Sequence, residues 1–231
     1  MAGFGSTISP GPGLTRAFLW LRAGRIRASL PVPMRLQIPD GDFAGYIFDL
    51  DGTLVDTMPL HYAAWAAAMK KAGLKDRLDE DLFYKLGGMP TRQVASILGK
   101  RHGLEIDPVS VHRDKELAFV ESIGKLELIE PVVEFARRIS KTRPVAIASG
   151  GTRDVVTNTV RLTGLETLFP IVVTVDDVEH GKPAPDMFLL AARLMGVEPA
   201  RCLVFEDGQP GIQAAIAAGM QYVFIPSRPS A

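Results

Sequence analysis

The chain has 231 residues, 47% hydrophobic and 23% charged, with 26 basic against 26 acidic side chains and a formal net charge of zero. That balance excludes recruitment to nucleic acid or to a membrane surface by bulk charge, and the composition is that of a globular protein rather than a disordered one. Cys202 is the single cysteine, which rules out an internal disulfide, and its place in the apolar run RCLVFED predicts a small buried core residue.

The elements follow in chain order. Before Asp40 there is no acidic residue, yet Arg16, Arg22, Arg25, Arg27 and Arg35 all occur among Ser, Gly, Pro and Ala. Residues 1–42 therefore read as an N-terminal extension outside the fold, either a disordered tail or a stretch upstream of a start at Met34. An Arg-rich, acid-free leader also fits an organelle transit peptide. No apolar stretch has the length to span a bilayer, so no membrane partner is expected; a cytoplasmic location is the default, and a monomer is expected.

Tyr46–Phe48 is a short apolar run that reads as a buried strand. It leads directly into Asp49 and Asp51, then Gly-Thr. Two carboxylates at a strand end repel and are costly to desolvate unless a cation or donors compensate. The simplest resolution is a hard divalent cation such as Mg²⁺, held by carboxylates, substrate phosphate and water. An EF-hand calcium loop does not fit, because its glycine falls at the sixth position and Gly52 stands at the fourth.

Four helical segments come next with no strand between them: Leu60–Ala72, Leu78–Leu86, Thr91–His102 and Pro108–Ile123. They predict an all-helical insert, residues 57–124, tethered near Asp56–Met58 and near Gly124–Glu130. From there strands and helices alternate. Val145–Ala148, Ile171–Val173, Leu203–Phe205 and Tyr222–Ile225 read as strands; Thr152–Leu162, Asp186–Met195 and Gly211–Ala218 read as helices. Gly164, Gly196 and Gly219 stand where those helices should stop. This rhythm predicts an α/β core, residues 43–56 and 125–231, with a parallel sheet covered by helices on both faces. Ligands bind outside the carboxyl ends of such strands, and the insert would roof that position.

Polar groups suited to phosphate chemistry follow the strands. The first is followed by Asp49 and Asp51, the second by Ser149, Gly150 and Gly151, the third by HGKPAPD with Lys182, and the fourth by Glu206 and Asp207. Taken singly, SGG is also an ordinary strand-to-helix turn and Lys182 an ordinary loop lysine. Together they converge on one sheet edge.

In this order, DLDGTLVD, IASGG, GKPAPD and VFEDGQPGIQAA resemble the four signature motifs of the haloacid dehalogenase superfamily of phosphotransferases. The resemblance runs from Gly45 to the C-terminus and takes in the helical cap. Within it the chain is most similar to sugar-phosphate phosphatases of the fructose-1-phosphatase type and to β-phosphoglucomutase. The resemblance implies Asp49 as nucleophile forming an aspartyl-phosphate, Asp51 as proton shuttle, and Ser149 with the adjoining amides of Gly150 as phosphoryl holders. It implies that Lys182 neutralises charge, and that Asp49, Asp51, Asp207 and Glu206 surround Mg²⁺. On the cap, Thr57, His61, Arg92 and Lys115 match positions that in relatives reach the substrate. Gly208 and Pro210 depart from the usual pattern after the Glu-Asp pair.

Phosphatase and mutase differ in whether water or a second sugar hydroxyl takes the phosphoryl group. The GGMPTR segment is closer to the phosphatases, the mutase having lysine where Gly87 stands. The expected substrate is a small phosphorylated sugar. A dehalogenase needs neither Asp51 nor a metal, and a binding module without catalysis would be expected to lack Asp49, Asp51 or Lys182.

Overall fold

The computed structural model describes residues 34–87, 89, 91–122 and 126–226. The Arg-rich leader before Met34, and Ile123 and Gly124 at the predicted end of the insert, lie outside them. The strands are β1 (Gly45–Phe48), β2 (Val145–Ser149), β3 (Ile171–Thr174), β4 (Cys202–Glu206) and β5 (Gln221–Phe224). The helices are α1 (Met58–Lys71), α2 (Glu80–Lys85), α3 (Thr91–Arg101), α4 (Pro108–Ser122), α5 (Glu130–Ile139), α6 (Arg153–Leu162), α7 (Asp186–Met195) and α8 (Gln209–Ala217).

All strand pairs are parallel, in the order β3-β2-β1-β4-β5. Alternate residues of each strand supply the two faces of this sheet. Tyr46, Phe48, Val145, Ile147, Leu203 and Phe205 point to one face, where Val132, Val133 and Ala136 of α5 and Val156 and Val160 of α6 cover them. Aromatic rings fill this layer: Phe48 stacks on Phe205 at 4.6 Å and meets Phe169 edge-on at 5.5 Å. The other face carries small residues, Ala146, Ala148 and Cys202, which let α7 and α8 approach through Ala191, Ala192, Ala214 and Ala215. Burying each large side chain of these layers contributes about 1.5–3 kcal/mol. Cys202 is fully buried, and that burial pushes its thiol up to about 11.

Helices α1 to α4 gather round a hydrophobic cluster of their own, built on Trp65, Met69, Leu78, Phe83, Val94, Leu98 and Val111. The chain enters and leaves them side by side. Val55 and Leu128 form an antiparallel bridge, Asp56 N–H donates to the Glu127 carbonyl at 2.8 Å, and Ile129 N–H donates to the Leu54 carbonyl at 2.9 Å. Among the described residues no helix is long and apolar enough to cross a membrane.

The expected strands and helices are present with ends shifted by one or two residues, as hydrogen-bonded ends usually are. Gly164, Gly196 and Gly219 close their helices at φ of 68°, 67° and 71°. Two differences matter. Helix α5 is absent from the sequence reading, although Val132, Val133, Ala136 and Ile139 have helical spacing and Pro131 sits in the first turn, where its missing N–H costs nothing. In addition, Met34 and Leu36, assigned to the extension, pack against the aromatic layer.

Candidate active site

The sheet order reverses direction at β1: β2 and β3 lie to one side, β4 and β5 to the other. A crevice therefore opens beyond the carboxyl end of β1. Asp49 is the first residue beyond that end, and its backbone N–H donates to the Phe205 carbonyl of β4 at 3.0 Å. The next residues fold back at once. Leu54 and Val55 N–H both donate to the Leu50 carbonyl at 3.0 Å, and Gly52 adopts φ 81°. A side chain at position 52 would also run into the Asp207 carboxylate, its Cβ falling 2.3 Å from Oδ2. Glycine at that turn thus lets the loops after β1 and β4 meet.

Lys182 links the two loops. It is 3% exposed, and its Nζ donates to Asp49 Oδ1 at 2.6 Å and to Glu206 Oε1 at 2.7 Å. The other Glu206 oxygen accepts the Gly208 N–H at 2.6 Å. This carboxylate lies flat on α8, since a Cβ at Gly211 would fall 1.7 Å from Glu206 Oε1. Asp207 stands beside them, and ligand oxygens of Asp49, Glu206 and Asp207 lie within 4.8 Å of one another.

Charge here is unbalanced. Burial, reinforced by Glu206 and Asp51 and opposed by Lys182, pushes the Asp49 carboxyl up to about 8. Burial with Asp49 and Glu206 holds Asp207 well above the usual carboxylate range. Burial works against the Lys182 ammonium, but Asp49 and Glu206 outweigh it and raise its pKa. Carboxyl groups that resist ionising in one pocket mark a place that favours a cation. The donor set fits: hard carboxylate oxygens from adjacent loops are what Mg²⁺ takes.

Asp51 behaves differently. Thr57, fully buried at the start of α1, donates its hydroxyl to Asp51 Oδ1 at 2.8 Å. Ser149 at the end of β2 donates to Oδ2 at 3.4 Å, and His61 Nε2 lies 3.4 Å from Oδ1. Burial raises the Asp51 pKa, but the hydrogen bonds from His61 and Thr57 prevail and hold it at about 2. His61 itself is lowered by burial and by Lys115, against the pull of Asp51. The Gly151 N–H caps the Ser149 hydroxyl at 3.2 Å.

The helical insert closes the other side. His61 stacks on Phe119 of α4 at 4.0 Å with the rings 5° from parallel. Lys115, one turn earlier on α4 and 6% exposed, places its ammonium 5.1 Å over the same ring and 2.9 Å from Glu116 Oε1. A cavity of about 510 Å³ runs between core and insert. Its wall includes Asp49, Asp51, Gly150, Lys182, Glu206 and Asp207 from the core, and His61, Arg92 and Lys115 from the insert. Each residue singled out from the sequence therefore lies at this cavity or, for Thr57 and Ser149, hydrogen-bonds into it. The sequence reading passed over Glu116 and His112, which also line it. Their spacing from Lys115, one place on and three places back, is the signal that could have found them.

The profile of the haloacid dehalogenase-like hydrolases matches residues 43–219. The fructose-1-phosphate phosphatase YqaB of Escherichia coli is 39% identical over 185 residues, covering 78% of this chain and 95% of the relative. A phosphorylated carbohydrates phosphatase of Thermotoga maritima is 31% identical over 182 residues, covering 77% and 82%. Among solved structures, a hydrolase from Pseudomonas syringae superposes with a TM-score of 0.69 at 27% identity, over 78% of this chain and 83% of that one.

Proposed function

The chain belongs to the haloacid dehalogenase-like hydrolases, with phosphatases among its relatives, and from that premise we propose that it is a Mg²⁺-dependent hydrolase of small sugar phosphates of the fructose 1-phosphate kind. Residues 43–56 and 125–231 act as the core and 57–124 as the cap. The observation that carries this reading is the pair of aspartates set two residues apart at one strand end with different partners. Asp49 is gripped at one oxygen by Lys182 and keeps the other oxygen for phosphorus, and Asp51 is oriented by the hydroxyls of Thr57 and Ser149.

In this account the Asp49 oxygen not held by Lys182 attacks phosphorus in line, the ester bond breaks, and the sugar oxygen leaves with a proton from Asp51. A phosphate dianion arriving beside Asp51 raises its pKa and lets it carry that proton. Water then attacks the aspartyl-phosphate and gives its proton to Asp51, which frees inorganic phosphate and restores Asp49. Ser149 and the Gly150 backbone hold the phosphoryl oxygens, and Lys182 balances their charge. Asp49, Asp207 and the Asp51 backbone carbonyl would hold Mg²⁺. Glu206 belongs to the same carboxylate group, but both its oxygens are engaged, so its part is to orient Lys182. When bound, the ion supplies charge neutralisation for the phosphate and for the clustered carboxylates.

On the cap, Lys115, Arg92 and His61 face the leaving group. Gly87 lines the cavity and leaves no ammonium there for a second phosphoryl acceptor, which supports hydrolysis over transfer between sugar hydroxyls. The test is phosphate release from fructose 1-phosphate with Mg²⁺, set beside formation of glucose 6-phosphate from β-glucose 1-phosphate. Release that EDTA abolishes is the expected result. Metal-independent release, or mutase turnover exceeding hydrolysis, would sink the proposal.

A further inference from the structure

His112 has no role in the chemistry above, yet it lines the cavity. It lies on α4 in a stripe with Lys115, Glu116 and Phe119, at i, i+3, i+4 and i+7, so all four share one helix face. The lower end of the stripe is fixed: Phe119 stacks on His61, which touches Asp51. Lys115 comes next and still acts on Asp51 electrostatically. His112 lies three residues further from that end, about 4.5 Å along the helix axis at 1.5 Å per residue.

Neither ring nitrogen of His112 has a hydrogen-bond partner among the described residues; Nδ1 is sealed, so Nε2, which keeps accessible surface, is the atom that can meet a ligand. A polar ring left without partners is unfavourable in a wall whose neighbours are Met58, Trp65, Phe83 and Val94. Packing alone would be better served by an apolar side chain. Lys115 differs in this respect, because Glu116 already occupies its ammonium at 2.9 Å.

We propose that His112 is a specificity residue that hydrogen-bonds a distal hydroxyl of the substrate, so that the enzyme selects sugar phosphates of five or six carbons over shorter ones. This rests on the phosphatase reading above. With phosphorus at Asp49 and the ester oxygen near Asp51, a three-carbon alcohol ends beside Lys115. A hexose carries hydroxyls one helical turn beyond, level with His112.

The experiment compares kcat/KM for glycerol 3-phosphate, ribose 5-phosphate and fructose 1-phosphate in the wild type, His112→Ala and His112→Gln. In His112→Ala the ratio of fructose 1-phosphate to glycerol 3-phosphate should fall about tenfold, the size of one neutral hydrogen bond. His112→Gln, which keeps a donor and an acceptor on the same wall, should recover much of that ratio, and it stands in if the alanine variant is unstable. Equal losses on all three substrates, or an unchanged ratio in both variants, would overturn the inference while leaving the phosphatase reading intact. Wild-type enzyme that hydrolyses none of the three would overturn both.

Discussion

The two walls of the cavity are built on different principles. On the core side the polar groups follow strand ends and most are engaged: Lys182 bridges Asp49 and Glu206, Glu206 takes a backbone N–H, and Asp51 meets Ser149 of β2 and Thr57 and His61 at the start of α1. On the insert side the wall is mostly apolar and its polar groups are sparsely tied: Lys115 pairs with its neighbour Glu116, while His112 and Arg92 make no ion pair among the described residues. Groups that must keep sub-ångström geometry for chemistry sit on the rigid sheet edge. Groups that only recognise an alcohol sit on helices, where one substitution changes preference without disturbing the reaction.

The sharpest break in that comparison is Asp49→Asn. It keeps shape and the Lys182 contact but removes the nucleophile, so turnover should fall at least about a thousandfold with the melting temperature nearly unchanged. Steady-state kinetics beside a thermal melt read both. Lys182→Met should damage activity and fold together. It leaves Asp49 and Glu206 buried without their partner, a loss of about 3–5 kcal/mol by analogy with broken buried ion pairs, measurable by urea titration. Because Lys182 is almost wholly buried, solvent screening does not soften this.

Gly211→Ala should come next. The added methyl meets the Glu206 carboxylate, and about 1–3 kcal/mol of stability should go with the displaced lysine contact. Wild-type stability in that variant would mean that Glu206 is not held as described.

A smaller effect concerns Asp51. Its native pKa of about 2 lies below the unfolded value of 3.8, so the ionised group contributes stability that is full above pH 4 and is lost as pH falls towards 2. Thr57→Val removes one of the donors responsible. The variant should lose less stability than the wild type between those pH values, as urea titrations across that range would read. The least effect belongs to Cys202, whose thiol is buried and pushed up to about 11. Native protein at pH 8 should resist iodoacetamide and keep full activity, whereas urea-unfolded protein should react at once.

How much of this was legible beforehand follows the same division. The core groups were readable because each follows a short apolar strand in a fixed order, so DLD, SGG, GKP and FED identify themselves. What spacing could not reveal was the division of labour, such as Glu206 spending both oxygens on Lys182 and Gly208. Helix α5 was legible too and was passed over: Pro131 in the first turn marks a helix start, and Val132, Val133, Ala136 and Ile139 keep helical spacing. On the insert, Lys115 could be matched by position, but His112 could not. Its interest lies in missing partners, which only the packing of α3, α4 and α1 around the cavity displays.

Whether Asp49 carries the phosphoryl group decides the mechanism. Enzyme with Mg²⁺ and phosphorus-labelled fructose 1-phosphate, quenched in acid within milliseconds and mapped by peptide mass, tests this directly. The expected result is label on the peptide spanning Tyr46–Asp56, at Asp49, appearing with the first released sugar and absent in Asp49→Asn. Label on any other residue, or sugar release by Asp49→Asn at the wild-type rate, would contradict it.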